Sequence, residues 1–443
     1  MKIAQVSAYQ IFDSRGKPTL EAEVILSDGS RGRGLVPSGA SKGQYEALEL
    51  RDKDSKRFRG DSVFTAIRNV ETILGPALIR QGELNQRDLD LSMIELDGTL
   101  AKSRLGANAI LAVSMAYANA AAASQGIPLH AYLGDGMLLP LPEVQIMGGG
   151  AHANRRIDVQ DFMIIAVGAR SYAEVMEITH DVYHATADLL RGLGKLAGVA
   201  DEGGFWPEIS SNEQAFDVVL AGIERAGYQP GRDVGLSLDI AASDFYNEDK
   251  SEYFFHSENR SFSSDDFAQM LAGWCRNYPI VSIEDPMADV DWAGWSRFRA
   301  LAPRGLQIVG DDLFVSNMER IRAGIAKQVA NAVLIKLNQI GTVTETLDAI
   351  RLTKSAGWSP VVSARSGETE DAFISHLAVA TDAGQLKVGS FSRSERLVKW
   401  NEVIRIEREL GEKAEFVGAK VFGETCNHKS RLIHPSDDGG QHD

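Results

Sequence analysis

The sequence predicts an α/β protein in which strands and helices alternate around a parallel barrel, preceded by a smaller α+β unit. Three observations carry this. Short, continuously apolar runs recur through the second half of the chain, each next to a charged residue. They are spaced by roughly 20 to 45 residues of helical pattern, the interval of strand–helix repeats. The opening stretch is organised differently, with alternating strand-like segments followed by helical ones.

In chain order, residues 3–10 and 20–27 alternate like short strands, and Asp28-Gly29 follows as a turn signal. An amphipathic helix is expected from Ser62 over SVFTAIRNVETILGPALI. A second helix, ANAILAVSMAYANAAAASQG, is nearly all apolar, so it should be buried and stop at Gly126. The Pro-containing stretch LLPLPEVQ (138–145) reads as a hinge into the next unit. The expected partition is 1–137 for the α+β unit, 138–432 for the barrel and 433–443 for a polar tail.

The apolar runs are VGLSLD ending at Asp239, IVSIED at Glu284, LQIVGDD at Asp311, AVLIK at Lys336, PVVSAR at Arg365, and LKVGS, with Lys387 at its start. Strands buried on both faces are continuously apolar, as these are. Barrel enzymes keep their chemistry at strand C-termini. An open, doubly wound sheet is the alternative that this pattern leaves.

Composition narrows the function. The 443 residues are 44% hydrophobic and 24% charged, as in ordinary globular proteins. The net charge of −15, without a basic stripe, argues against nucleic acid. An acidic protein that handles an anion must concentrate positive charge locally. The two cysteines, Cys275 and Cys426, form no CxxC pair, which fits a reducing cytoplasm. The N-terminus lacks a signal-peptide core, and no run of about 18 apolar residues suggests a membrane span. GLGKLAG (192–198) lacks the spacing of a dinucleotide loop.

Asp239, Glu284 and Asp311 end three successive strands, so they should converge on one barrel mouth. Without accompanying cysteines or several histidines, such a cage favours Mg²⁺ over zinc. Lys336 and Lys387 occupy the next strand positions. A lysine among other cations can have its pKa lowered enough to act as a base. Protons beside a carboxylate are very weakly acidic, and a lysine base with Mg²⁺ is one solution. The turn Asp201-Glu202-Gly203-Gly204 would aim Glu202 inward as a general acid. The small loop VPSGASK (36–42) reads either as a closing lid or as an ordinary loop.

The stretches DSRGKPTLE (13–21), VPSGAS (36–41), KSRLGANAIL (102–111), DEGGF (201–205), LDIAASDFY (238–246), YPIVSIEDP (278–286), IVGDDL (308–313), IKLNQIGTVTE (335–345) and RSGETED (365–371) together resemble the enolase (phosphopyruvate hydratase) family over nearly the whole chain. The resemblance implies a modified (β/α)8 TIM-type barrel capped by an N-terminal α+β domain. It implies two Mg²⁺ ions, a cytoplasmic glycolytic lyase acting on 2-phospho-D-glycerate, and a homodimer or larger assembly. By position, Asp239, Glu284 and Asp311 resemble the ligands of the first metal, and Ser41 resembles the lid residue that meets the second. Lys336 resembles the base, Glu202 the acid and Lys387 the lysine that holds the substrate carboxylate. Arg365 and Ser366 resemble the phosphate-binding pair. His152, Gln160 and Asp161 fall on active-site positions, and Lys42 lies beside Ser41.

The chain departs from the family pattern at several of these places. Ala364 stands for a usual histidine, Asp161 for glutamate, Gly148 for asparagine, Ala151 for serine and Lys42 for threonine. These changes predict a roomier, more cationic pocket at the phosphate end. They suggest a larger, more anionic relative of 2-phosphoglycerate, such as a carboxyphosphono-glycerate dehydrated to carboxyphosphonoenolpyruvate in a phosphinate-antibiotic pathway. A non-catalytic binding protein on the same fold is a further alternative.

Overall fold

The computed structural model describes residues 1–40, 43–153 and 155–423. Ser41, Lys42, Cys426 and the polar tail therefore lie outside the described residues.

The N-terminal unit is an antiparallel meander of β1 (Ile3–Phe12), β2 (Pro18–Leu26) and β3 (Arg31–Leu35), covered by helices. The expected helix from Ser62 is interrupted. It runs from Phe64 to Asn69, passes through a π-type turn at Val70–Leu74, and resumes at Gly75–Gln81. Pro76 has no N–H to donate within that segment, so the regular ladder is broken there. Helix α1 (Gln86–Asp97) has no clear apolar stripe in the sequence because its buried face includes Asp90 and Asp97. Both carboxylates are satisfied from outside the helix: Asp90 accepts the Thr344 N–H at 2.9 Å, and Asp97 accepts that of Leu105 at 2.6 Å.

The Ala-rich helix α2 (Ala107–Gln125) is buried as its composition requires. It lies directly on β3. A Cβ at Gly32 would come within 2.1 Å of the Ala120 backbone nitrogen, and one at Gly34 within 2.3 Å of the Ala112 carbonyl oxygen. Only glycine permits this contact between helix and strand backbones. Gly126 ends the helix in the left-handed region, at φ 64°.

Eight strands close the barrel: β4 (Leu141–Gly148), β5 (Asp161–Ile165), β6 (Gly235–Asp239), β7 (Ile280–Glu284), β8 (Gln307–Gly310), β9 (Ala332–Ile335), β10 (Ser359–Ser363) and β11 (Gln385–Gly389). Parallel pairing of β11 with β4 completes the ring. The stretch 138–145 is thus not a hinge, because most of it forms the start of the first barrel strand. Its prolines mislead. β4 is buried along its whole length, and its polar Glu143 is satisfied inside the barrel by the Ser237 hydroxyl at 3.1 Å and Gln385 Nε2 at 2.8 Å.

Strand β5 runs antiparallel to both neighbours, which modifies the simple alternating pattern. This reversal places the first residue of β5, Asp161, opposite Gly148 and Asp239, at the rim where the other strands end. Lys387 lies mid-strand in β11 rather than at its start. The N-terminal unit docks on that rim. Ser38 and Gly367 exchange backbone hydrogen bonds of 2.8 and 2.9 Å, and the Ser14 N–H reaches the Glu368 carbonyl at 2.7 Å. Among the described residues, no helix is long and apolar enough to cross a membrane.

Candidate active site at the barrel mouth

A cavity of about 280 Å³ opens at this rim, and its wall includes His152, Gln160, Glu202, Asp239, Lys336, Arg365, Ser366 and Lys387. The charged strand ends read from the sequence therefore meet in one place. Asp161, Glu284 and Asp311 stand just behind this wall, in contact with residues that line it.

Two lysines organise the acidic side. The Lys387 ammonium lies 2.9 Å from Asp239 Oδ2, 2.8 Å from Glu284 Oε2 and 3.8 Å from Asp161 Oδ2. Burial pulls its pKa down, but Asp239 and Glu284 outweigh burial and hold it well above the usual lysine value. Lys336 pairs with Asp311, whose other oxygen accepts Gln339 Nε2 at 2.7 Å. Burial also lowers the Lys336 pKa, and Asp311 reverses that, so the net direction is upward. The neighbouring cations Arg365 and Lys387 do oppose its charge, but the Asp311 carboxylate is in direct contact and prevails.

The acidic trio is held through these ammonium groups and is not a preassembled cage. The groups whose ligand atoms all lie within 4.8 Å are instead His152, Asp161 and Glu202, and Asp285, Asp311 and Asp312. The second of these is a structural turn. Asp285 accepts the backbone N–H groups of Asp311 and Asp312 at 2.8 and 2.7 Å, so its oxygens are already engaged. The better site for a cation is the predicted trio. Glu284 Oε1 is buried there with no hydrogen-bond partner among the described residues. Burial, and next Asp239, raise the Glu284 pKa well above the usual range, so a further positive charge would be favoured. An all-oxygen donor set suits a hard divalent cation.

Glu202 and His152 line the same cavity. Gly203 turns the chain at φ +99°, where a Cβ would lie 2.8 Å from the Ser392 carbonyl. The Gly204 N–H donates to Gln145 Oε1 at 2.8 Å, fixing the turn to β4. Burial raises the Glu202 pKa, only partly offset by His152. His152 Nε2 is 4.0 Å from Glu202 Oε1, and its Nδ1 is 3.0 Å from Asp161 Oδ1. Burial alone would depress the imidazole, but Asp161 and Glu202 carry it up to about 9.

Asp161 is fully buried behind His152, where Gln145 Nε2 also donates to it. It positions the imidazole. Gln160 does reach the cavity, donating to Asp239 Oδ2 at 3.0 Å while its Oε1 has no partner among the described residues.

The Asp161–His152 contact predicts a pH signature. The folded His152 pKa exceeds the free imidazole value of about 6.5. Its stabilising contribution is therefore complete below that pH and is lost as pH rises through about 9. Asp161→Asn should cost about 3 kcal/mol near neutral pH, the usual effect of breaking a buried pair. The cost should shrink above pH 9, as read by denaturant unfolding at both pH values.

Arg365 and Ser366 line another part of the cavity. Arg365 Nη1 and Nη2 each lie 3.1 Å from a Glu46 carboxylate oxygen, and Nη1 donates to Asn338 Oδ1 at 2.9 Å. The Ser366 hydroxyl accepts the Ala40 N–H at 2.6 Å, tying the segment after β10 to the N-terminal unit. Behind them the fully buried Arg396 donates to the carbonyls of Arg365 and Ser366 at 2.6 Å each and of Val388 at 2.8 Å. Gln145, Glu46, Asn338 and Arg396 are absent from the sequence-based site. Asn338 lies inside the IKLNQ motif beside Lys336 and was the most accessible of the four. The others sit in a loop, a strand interior and a helix with no local pattern.

Ala364 lines the cavity. At Gly148 a Cβ would meet that of Ala200 at 2.5 Å.

Two family models match the chain: the enolase N-terminal domain over residues 3–133, and the enolase C-terminal TIM barrel domain over residues 136–425. The chain is 50% identical over 424 residues to Enolase 1 of Desulfitobacterium hafniense (strain Y51), covering 95% of this chain and 97% of that protein. With paired lysines, clustered carboxylates and a buried acid at one barrel mouth, and both domains matched in order, the chain belongs to the enolase family and is a lyase of the enolase type.

Proposed function

We propose that the protein dehydrates 2-phospho-D-glycerate to phosphoenolpyruvate, with Mg²⁺ as its metal. The observation that carries this reading is that Lys336, Lys387, Glu202, Arg365 and Ser366 line one and the same cavity. A small molecule with a carboxylate, a hydroxyl and a phosphate finds a complementary group for each in this lining.

Asp239, Glu284 and Asp311 would hold one Mg²⁺, and Ser41 of the lid would meet a second. The metal, when bound, supplies positive charge beside the carboxylate where negative charge builds during deprotonation. Lys387 holds that carboxylate. Lys336 takes the C2 proton once its pairing with Asp311 gives way. Glu202, whose pKa burial raises, gives a proton to the departing C3 hydroxyl. His152 and Gln160 line the same wall. Arg365 and Ser366 hold the phosphate, with Lys42 on the lid adding charge. The homo-oligomeric state, cytoplasmic setting and glycolytic role rest on kinship with the family.

A second reading has one observation in its favour: Ala364 leaves a small side chain in the cavity wall. A bulkier anionic analogue such as a carboxyphosphono-glycerate would use that space. Steady-state assays on both compounds decide between them. Efficient turnover of 2-phosphoglycerate supports the first reading, and turnover of only the bulkier compound replaces it with the second.

The acid and base have separable roles. Glu202→Gln is expected to retain exchange of the C2 proton while dehydration falls about 10²-fold or more. Equal loss of exchange and dehydration would remove Glu202 from the acid role.

A further inference from the structure

Helix α3 (Tyr172–Gly192) carries a second constellation of metal-ligating side chains, away from the barrel mouth. His180 and His184 are four residues apart, so they project side by side from one face. Both are exposed, and their ring centroids are 4.5 Å apart. That separation is compatible with two imidazole nitrogens meeting one ion at about 2.0–2.1 Å.

Two features distinguish this from a chance surface pair. His180 Nδ1 lies 3.0 Å from Asp181 Oδ1, and the other oxygen of Asp181 accepts the Tyr228 hydroxyl at 3.1 Å. A fixed carboxylate on Nδ1 holds the proton there and leaves Nε2 as the electron-pair donor. This is the outer-shell arrangement of ligating histidines. His184 makes ring contacts with His180 and Tyr183, but among the described residues it forms no hydrogen bond. Its nitrogens are therefore available. Glu177 and Asp188 extend the same face with negative charge, although Asp188 is paired with Arg191 at 2.6 Å.

We propose that His180 and His184, oriented by Asp181, bind a borderline transition-metal cation of the Cu²⁺, Ni²⁺ and Zn²⁺ class. Imidazole donors select these ions and discriminate against Mg²⁺, which takes oxygen ligands. The site is thus chemically distinct from the carboxylate cluster. Two protein ligands leave further coordination positions for water or an external ligand. The site lies behind the Glu202 turn. Tyr183, between the two histidines in sequence, stacks on Phe205 at 4.5 Å and points its hydroxyl at the Gly203 carbonyl, 3.4 Å away.

The test is calorimetric titration of the full chain with Ni²⁺ in saturating Mg²⁺. One equivalent should bind, and Cu²⁺ should bind more tightly than Ni²⁺. His184→Ala and His180→Ala should each weaken this binding at least tenfold, and Asp181→Asn about tenfold. Both histidine variants should keep the wild-type enolase-type activity. No Ni²⁺ binding to the Mg²⁺-saturated protein, or binding of unchanged affinity in both histidine variants, would overturn the assignment. The proposal does not depend on which phosphorylated acid the barrel mouth takes.

Discussion

Lys336→Ala is expected to abolish exchange of the substrate C2 proton and to lower turnover by about 10²–10⁴-fold, the usual contribution of a positioned general base. The expectation rests on where β9 delivers the side chain. Lys336 follows the last residue of a fully buried strand and enters the cavity between Asp311 and Arg365. Its backbone N–H is fixed by the Ser316 hydroxyl at 2.9 Å, so the amine starts from a rigid point. Asp311 favours the charged amine, whereas a base must be neutral. A divalent cation that claims Asp311 would relax this restraint. Proton exchange should accordingly require the metal as well as the lysine. The measurement is loss of the C2 proton signal in deuterated buffer, with wild type and variant run side by side. Variant exchange at the wild-type rate would remove Lys336 from the base role.

Lys387→Met should have the largest effect on stability. Its ammonium is buried among Asp239, Glu284 and Asp161, and truncation leaves those carboxylates without their nearest cation. Breaking buried pairs of this kind typically costs about 3–5 kcal/mol. Activity should fall as well, since the proposed mechanism has the same amine hold the substrate carboxylate. The loss of stability should be smaller in Mg²⁺ than in chelator, because a cation bound by the native state restores charge balance and adds binding free energy to folding. Thermal unfolding in both conditions reads the difference. An equal drop with and without Mg²⁺ would mean that lysine and metal do not share this acidic site.

Much of this site was legible because its chemistry lies on regular strands. Runs such as VGLSLD and IVSIED show both their burial and the charged residue that ends them, so Asp239 and Glu284 could be placed before any coordinates. The helix at 107–125 was equally plain from its alanines. What the sequence concealed depends on tertiary partners. Strand β5 reverses direction, and that reversal, not local propensity, brings Asp161 to the rim. Helix α1 hides because aspartates occupy its core face, where Thr344 and Leu105 satisfy them from distant segments. Prolines made the first barrel strand look like a hinge. The direct pairing of Lys336 with Asp311 was likewise not visible in the sequence, because it depends on how two strand ends meet. Gln145 and Arg396 act by holding other functional groups, so nothing in their own neighbourhoods marks them.

The most direct test of the account follows deuterium entering C2 of 2-phosphoglycerate by NMR, using wild-type protein with Mg²⁺ and again after chelation. Rapid incorporation that stops on chelation and returns with added Mg²⁺ is the predicted result. Folded, metal-loaded protein that leaves the C2 proton in place would contradict it.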